Sequence, residues 1–494
     1  MKHAPKTDAL GGGGLWLGVA KLWFLVASYA ISISLTHLLP AEEWGRYYVV
    51  ARLIAVPNMV IIYTLLFSVS RPLAAQYEAG FPAYDGLRRR GVKLAFVLGG
   101  LASLVFFLGA PLFATLLSDD LLAMPIRVVA PISLVYALYA VNLGTINAVR
   151  RFRRQAVLDI AMATMKSGFI IAAAAVGLGL AATVGGFTLA SVAALLLSIL
   201  LVTGVRPSTA GREAPQVSVA TFAGVLIVFT AVVNLLQSAD VLLLKAFAET
   251  HAQDEAVGFY ASAQQVALVP YSLMNAMALL VFPLVASIDQ HREPERIRAY
   301  LSKTARVTAL LLAFMSCVGS ASASDIQALL FPDAYGTAAR ELRLLVWGFS
   351  GYSFAVTTAW VFNSAKRSKV AVFLVSCPLV VVVVVALGLV PLSFTEGAAI
   401  AVAAAGAVAT VAALVFLRRT FGAAVPLLHL LKLAAAVSAV ELTASVWPVM
   451  STSGLAGKLA IVGKLAVLSV VFIMVVASTR AVTKADLKEL RRAR

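Results

Sequence analysis

Fourteen apolar runs of about twenty residues follow one another from end to end of this chain. Each is long enough to cross a ~30 Å hydrocarbon layer as a helix. We place them near 15–38, 47–69, 92–117, 127–149, 156–180, 184–204, 219–247, 262–287, 305–330, 342–364, 370–390, 396–417, 427–449 and 456–478. A β-barrel would need short segments alternating apolar and polar residues, and none are present. The composition agrees: 61% hydrophobic and 13% charged residues, with a mean hydropathy of +0.93, against about 45–50% and 25% in a soluble domain. The expected fold class is an all-α polytopic membrane protein with 14 transmembrane helices.

The net charge of +17 is a matter of placement rather than of nucleic-acid binding. Most Lys and Arg fall in alternate short connections: Arg71 and Arg88–Lys93, Arg150–Arg154, Arg206 and Arg212, Arg292–Arg306, Lys366–Lys369, Arg418–Arg419, and the tail from Arg480. The intervening loops carry acids instead, among them Glu42, Glu43, Asp119, Asp120, Glu249, Asp254, Glu255, Asp325, Asp333 and Glu396. Basic loops stay on the cytoplasmic side, so both termini are expected in the cytoplasm. The first run lacks the small-residue cleavage site of a secretory signal and is taken as a retained span. Cys317 and Cys377 lie in or beside apolar runs and are taken as buried thiols.

The chain repeats itself. Trp44–Pro57 reads WGRYYVVARLIAVP and Val257–Pro270 reads VGFYASAQQVALVP, so that Gly45, Tyr47, Val56 and Pro57 recur 213 residues later as Gly258, Tyr260, Val269 and Pro270. Asn147, Arg150, Arg151 and Arg153 recur as Asn363, Lys366, Arg367 and Lys369, 216 residues later. Two six-helix lobes are expected, residues 1–204 and 216–420, followed by an extra helix pair at 425–480 and a basic tail at 481–494. With an even number of spans per copy, the copies share one orientation and are related by a pseudo-two-fold along the membrane normal, a plan found in secondary transporters. The loops are too short to hold a soluble domain of ~50 residues.

Four segments in order carry a family resemblance: Leu39–Val50 (LPAEEWGRYYVV), Asn147–Ile160 (NAVRRFRRQAVLDI), Ser238–Pro270 (SADVLLLKAF…VGFYASAQQVALVP) and Leu329–Gly348 (LLFPDAYGTAARELRLLVWG). They resemble the Wzx-type oligosaccharide flippases of the multidrug/oligosaccharidyl-lipid/polysaccharide exporter superfamily. The resemblance implies a multi-pass protein of the bacterial cytoplasmic (inner) membrane, with two lobes around a central cavity and alternating access. Its implied cargo is an undecaprenyl-diphosphate-linked glycan, moved between leaflets of the lipid bilayer. A polysaccharide polymerase and glycosyltransferases are the implied protein partners.

A charge at bilayer depth costs about 2.5–3.5 kcal/mol on insertion scales and needs a reason. Lys21, Arg52 and Lys166 all belong to the first copy, and their counterparts in the second are the uncharged Asn234, Gln265 and Val382. They are expected to form a cationic cavity wall for a diphosphate or an acidic sugar; the plainer alternative is snorkelling toward the nearer interface. Asp240 and Lys245 sit in the outer part of the seventh run, about 140° apart around a helix, so they need not pair with each other. Asp240 is a candidate for coupling a cation, for pairing with Arg52, or for a structural ion pair. Glu441 is a candidate proton relay or a partner of Lys464, and Lys432 and Lys464 read as snorkelling or pairing. Asn58, Asn142, Asn147, Asn234, Gln237, Gln264, Gln265 and Asn275 suit either sugar contacts or helix–helix hydrogen bonds.

Within transport, the alternatives are a peptidoglycan-precursor flippase and a multidrug exporter of the same superfamily. A membrane glycosyltransferase would use Asp119-Asp120 as a metal-binding pair, but adjacent acids on a short loop read as a solvated turn. No enzyme activity, cofactor or metal site is expected. The chain contains no GxxxxGK[ST] loop, so ATP is not its fuel; an ion gradient or downstream consumption of the glycan is left.

Overall fold

A computed structural model describes residues 10–76, 84–203, 220–274, 293–447 and 454–479. Every element among them is helical. Apolar backbone in lipid has no water to bond to, so each span must satisfy its own N–H and C=O groups, and the helix does so. In chain order the main helices are α1 (Leu10–Leu38), α2 (Ala41–Ala74), α3 (Tyr84–Leu116), α4 (Ala123–Val129), α5 (Ile132–Ala148), α6 (Phe152–Ala175), α7 (Gly179–Thr203), α8 (Ala220–Leu236), α9 (Ala239–Ala246), α10 (His251–Ala267), α11 (Pro294–Ala321), α12 (Ala323–Leu330), α13 (Ala339–Ser364), α14 (Ser368–Phe421), α15 (Leu427–Ser445) and α16 (Gly454–Ser478).

Eleven stretches among the described residues are long and apolar enough to span a membrane, or twelve when the bent pair Ile227–Leu236 and Ala239–Ala246, angled at 56°, is one span. The stretch Ser368–Phe421 contains a break at Ser393 and Phe394, where the backbone leaves helical angles. A straight helix would hold Phe373 and Phe416 ~65 Å apart, yet their rings lie 5.4 Å apart. The stretch is therefore a hairpin of two antiparallel helices, which correspond to the eleventh and twelfth expected spans. Residues 275–287 of the expected eighth span lie outside the described residues, as do the connector 204–219, Asn275 and the tail from Arg480.

The chain forms two compact units, Met1–Gly258 and Phe259–Arg494. In the first, α2 packs against α3, α5 and α8, and α6 packs against α1 and α7. Its core is Ile61, Leu65, Val69 and Leu73 of α2 against Ala95 of α3 and Ala137, Ala140 and Val141 of α5. Two polar bonds cross this packing: Ser133 donates to Asn58 (2.8 Å) and Asn142 donates to Ser198 (2.9 Å). These two asparagines therefore tie helices together.

In the second unit, α13 packs against the α14 hairpin and α11 against α13 and α15. At Gly351 a Cβ would stand 2.2 Å from the Gly406 carbonyl oxygen, so only glycine lets the two backbones approach this closely. The helix pair α15–α16 lies on α11 through Leu433, Ala436, Val440, Leu468 and Phe472, with Cys317 buried among them. Long rows of exposed Leu and Val, such as Leu101, Leu104, Leu108 and Leu112 on α3, suit contact with lipid tails.

Candidate functional site

Arg52 lies in the fourth turn of α2, half-buried, with its guanidinium donating to the Tyr48 hydroxyl (2.5 Å) and lying 4.8 Å from the centre of that ring. The two residues are one turn apart on the same face, which is why the sequence brings them together. Lys166 of α6 is half-buried, and its ammonium lies 4.1 Å from the centre of the Phe187 ring on α7. Arg52 and Lys166 are within electrostatic range of each other, and Arg52 also acts on the Tyr29 hydroxyl of α1. Two like charges drawn together cost free energy that an anion bound between them recovers. A guanidinium offers a bidentate fork and an ammonium a point charge, the pair of donors that suits phosphate oxygens. Asp240, fully buried on α9, also acts electrostatically on the Tyr48 hydroxyl.

Lys21 does not join that pair. It bonds instead to Asp159 of α6 at 3.6 Å, with 52% of the lysine side chain exposed and 10% of the aspartate. Asp159 is absent from the intramembrane charges singled out above, because it stands only five residues beyond Arg154, the last of the basic cluster that opens α6. Its spacing of seven residues from Lys166, nearly two full turns, was the available signal that both lie on one helix face. On α1, Lys21 shares a face with Ser28, seven residues on. The Trp23 indole donates to Thr164 (2.9 Å), a second polar link between α1 and α6.

A third set of charges lies at one end of the first unit's helices. Arg46 bonds Asp119 (2.7 Å) and Asp254 (3.3 Å), and Lys245 bonds the same two carboxylates, Asp119 at 2.8 Å. The result is a closed ring of alternating sign. Lys245 is 1% exposed and Asp119 5% by side chain, which corrects the solvated-turn reading for Asp119, while Asp120 is exposed. Asp119 also caps the short turn Asp120–Leu122 by accepting from the Leu121 N–H. Burial pushes its carboxyl up, but hydrogen bonds from Arg46 and Lys245 and their charges outweigh that and hold it below the usual carboxylate range. Glu42 extends the ring, 3.8 Å from Arg46 and 2.6 Å from His251. Lys245 thus pairs with Asp119 and Asp254, acids from two other segments, as its angular separation from Asp240 allows. Nothing local in the sequence links Arg46, Asp119, Lys245 and Asp254.

Beneath this ring, α2 and α10 meet glycine to glycine. A Cβ on Gly45 would stand 2.9 Å from Gly258 N and 3.4 Å from the Asp254 carbonyl oxygen; one on Gly258 would stand 2.0 Å from the Ala41 carbonyl oxygen. Ala41 and Asp254 are themselves 213 residues apart, the offset of the repeat. The contact is reciprocal, like that across a two-fold axis.

In the second unit Lys464 bonds Asp325 of α12 at 2.6 Å. That corrects the alternative in which Lys464 pairs with Glu441, which lies exposed on α15. Lys432 is half-buried on α15. Thr395 donates to Glu341 at 2.7 Å, joining the hairpin break to the start of α13.

Among solved structures, the Lipid II flippase MurJ in an inward closed conformation matches with a TM-score of 0.74 at 12% identity, covering 95% of this chain and 98% of its own. An inward-facing multidrug resistance MATE family transporter of the MOP superfamily matches with a TM-score of 0.66 at 15% identity, covering 82% of this chain and 98% of its own. The outward-facing conformation of such a transporter matches with a TM-score of 0.63 at 15% identity, covering 85% of this chain and 99% of its own. At such identities the likeness establishes the fold. No curated protein matches the chain. Residues 92–339 match the family described as polysaccharide biosynthesis protein. That match spans half of the chain: the protein belongs to the polysaccharide biosynthesis protein family.

Proposed function

We propose that this protein carries an undecaprenyl-diphosphate-linked oligosaccharide across the bacterial cytoplasmic membrane for exopolysaccharide, O-antigen or capsule biosynthesis. Two lobes, residues 1–204 and 216–420, work by alternating access, with the helix pair 425–480 attached and both termini in the cytoplasm. The cargo comes from glycosyltransferases on the inner face and passes to a polymerase on the outer face. The observation that carries this reading is Arg52 within electrostatic range of Lys166, two half-buried cations of the first unit lying against the Tyr48 and Phe187 rings. A diphosphate supplies the negative charge that such a pair attracts. A cationic drug would be repelled by it, which disfavours the multidrug alternative.

A strain depleted of its own copy, complemented with Arg52→Gln or Lys166→Gln at full membrane level, tests the reading. Surface delivery of a radiolabelled lipid-linked glycan is expected to be lost in both. Unchanged delivery in both overturns it. A second reading, a flippase for a peptidoglycan precursor, draws on the larger share of this chain that the Lipid II flippase covers, 95% against 82% for the first MATE transporter. Complementation of a strain lacking its own precursor flippase separates the two cargos.

A further inference from the structure

Lys21 and Asp159 form an uneven pair. The ammonium is half in the open, 52% exposed, while the carboxylate is 10% exposed and 3.6 Å away. The Tyr139 hydroxyl on α5 is the second polar group that acts directly on this carboxylate. Asp159 stands seven residues into α6, ~10 Å along its axis from the basic end, and Lys166 ~21 Å along it on the same face. The pair therefore lies between the basic end of α6 and the Arg52–Lys166 cations.

We propose that Asp159 is a proton-binding site that releases Lys21 to an arriving diphosphate. The inference rests on the diphosphate reading of the Arg52–Lys166 site. In the exchange, the ammonium keeps its three protons and moves from the carboxylate to a phosphate oxygen. The carboxylate it leaves is buried and uncompensated, a costly state, and it takes one proton from the aqueous phase to become a neutral carboxylic acid. Tyr139 then faces a group able to donate as well as accept. One proton is gained per headgroup captured, and no bond other than O–H forms. Other titratable groups facing this region are Tyr136 and Tyr139 on α5, Tyr29 on α1, and Arg153, Arg154 and Lys166 on α6 itself; α7 carries none. Of these, Asp159 is the one acid.

Linkage is reciprocal: if binding takes up a proton, a lower pH tightens binding. Calorimetry on the full-length protein in nanodiscs, with inorganic pyrophosphate as the probe and buffers of different ionisation enthalpy, counts the protons. Wild type is expected to take up more protons per pyrophosphate than Asp159→Asn. At neutral pH Asp159→Asn is expected to bind more tightly by about fivefold or more, the lower end of ordinary site–site coupling. Asp159→Glu is expected to restore the uptake. Equal uptake in wild type and Asp159→Asn, while Arg52→Gln still abolishes binding, overturns the proton site and leaves the diphosphate reading intact. If wild type binds no pyrophosphate, the diphosphate reading fails. The proton site is then decided by infrared pH titration: a carboxylic-acid band that Asp159→Asn removes upholds it, and an unchanged spectrum overturns it.

Discussion

Gly45 of α2 and Gly258 of α10 touch through backbone atoms, each facing a carbonyl that the same 213-residue offset makes equivalent. Such reciprocity is what a duplicated element produces when its two copies meet. Gly258 is the tighter side. A methyl group there meets the Ala41 carbonyl carbon and oxygen, which are backbone and cannot swing away. Gly258→Ala is expected to destabilise the protein by about 1–3 kcal/mol or more, the usual cost of overpacking. Gly86→Ala, with open space around its Cβ, serves as the control. Thermal melts in detergent read both.

The ring of Arg46, Asp119, Lys245 and Asp254 gives a prediction about charge. Removing Lys245, 1% exposed, leaves two carboxylates to share Arg46. Breaking one side of a buried pair costs ~3–5 kcal/mol because it strands the other charge. Lys245→Met is expected to lower the melting point sharply. Adding Asp119→Asn to it is expected to recover part of the loss, and full additivity of the two changes would show that they are uncoupled.

Acid should weaken the same ring. The Asp119 carboxyl is held below its ordinary range by Arg46 and Lys245 against the opposing effect of burial. A carboxyl depressed in the folded state stabilises the fold above its unfolded value, ~3.9, and that contribution is lost as the pH falls below it. Melting points of wild type are expected to drop as pH falls through that window, and those of Asp119→Asn to start lower and fall less steeply. Parallel curves would exclude Asp119 as the source.

Arg52 and Lys166 differ in what they offer an anion. Replacing Arg52 with Lys keeps the charge but loses the planar fork and its stacking on Tyr48. Arg52→Lys is therefore expected to transport glycan less well than wild type but better than Arg52→Gln. Lys166→Arg is expected to be milder than Lys166→Gln. Initial rates of glycan delivery at matched protein levels rank the four.

Several features were legible before any helix was placed. The apolar runs marked the spans, and the repeat marked Gly45 and Gly258 as equivalent. Helical spacing put Arg52 one turn from Tyr48. Other features were not legible. Asp159 sits close to a basic cluster, so counting charges along the chain hides it, whereas its seven-residue spacing from Lys166 would have exposed it. Asp119 read as a loop residue because adjacent acids on a short loop are normally solvated. It is buried by contacts with segments up to 126 residues away, at Lys245.

By itself, the sequence determined that this chain is helical and lipid-embedded, because long apolar runs in hydrocarbon leave the backbone no other way to satisfy its hydrogen bonds. It also determined which charges need a reason, since each charge at bilayer depth carries a cost wherever it points. Tertiary structure alone decided the partners: Lys21 with Asp159, Lys464 with Asp325, and Lys245 with Asp119 and Asp254. The physical reason is range. Hydrophobicity and helical period act over a few turns, whereas an ion pair depends on which helices pack side by side and at what depth, and no local rule specifies that.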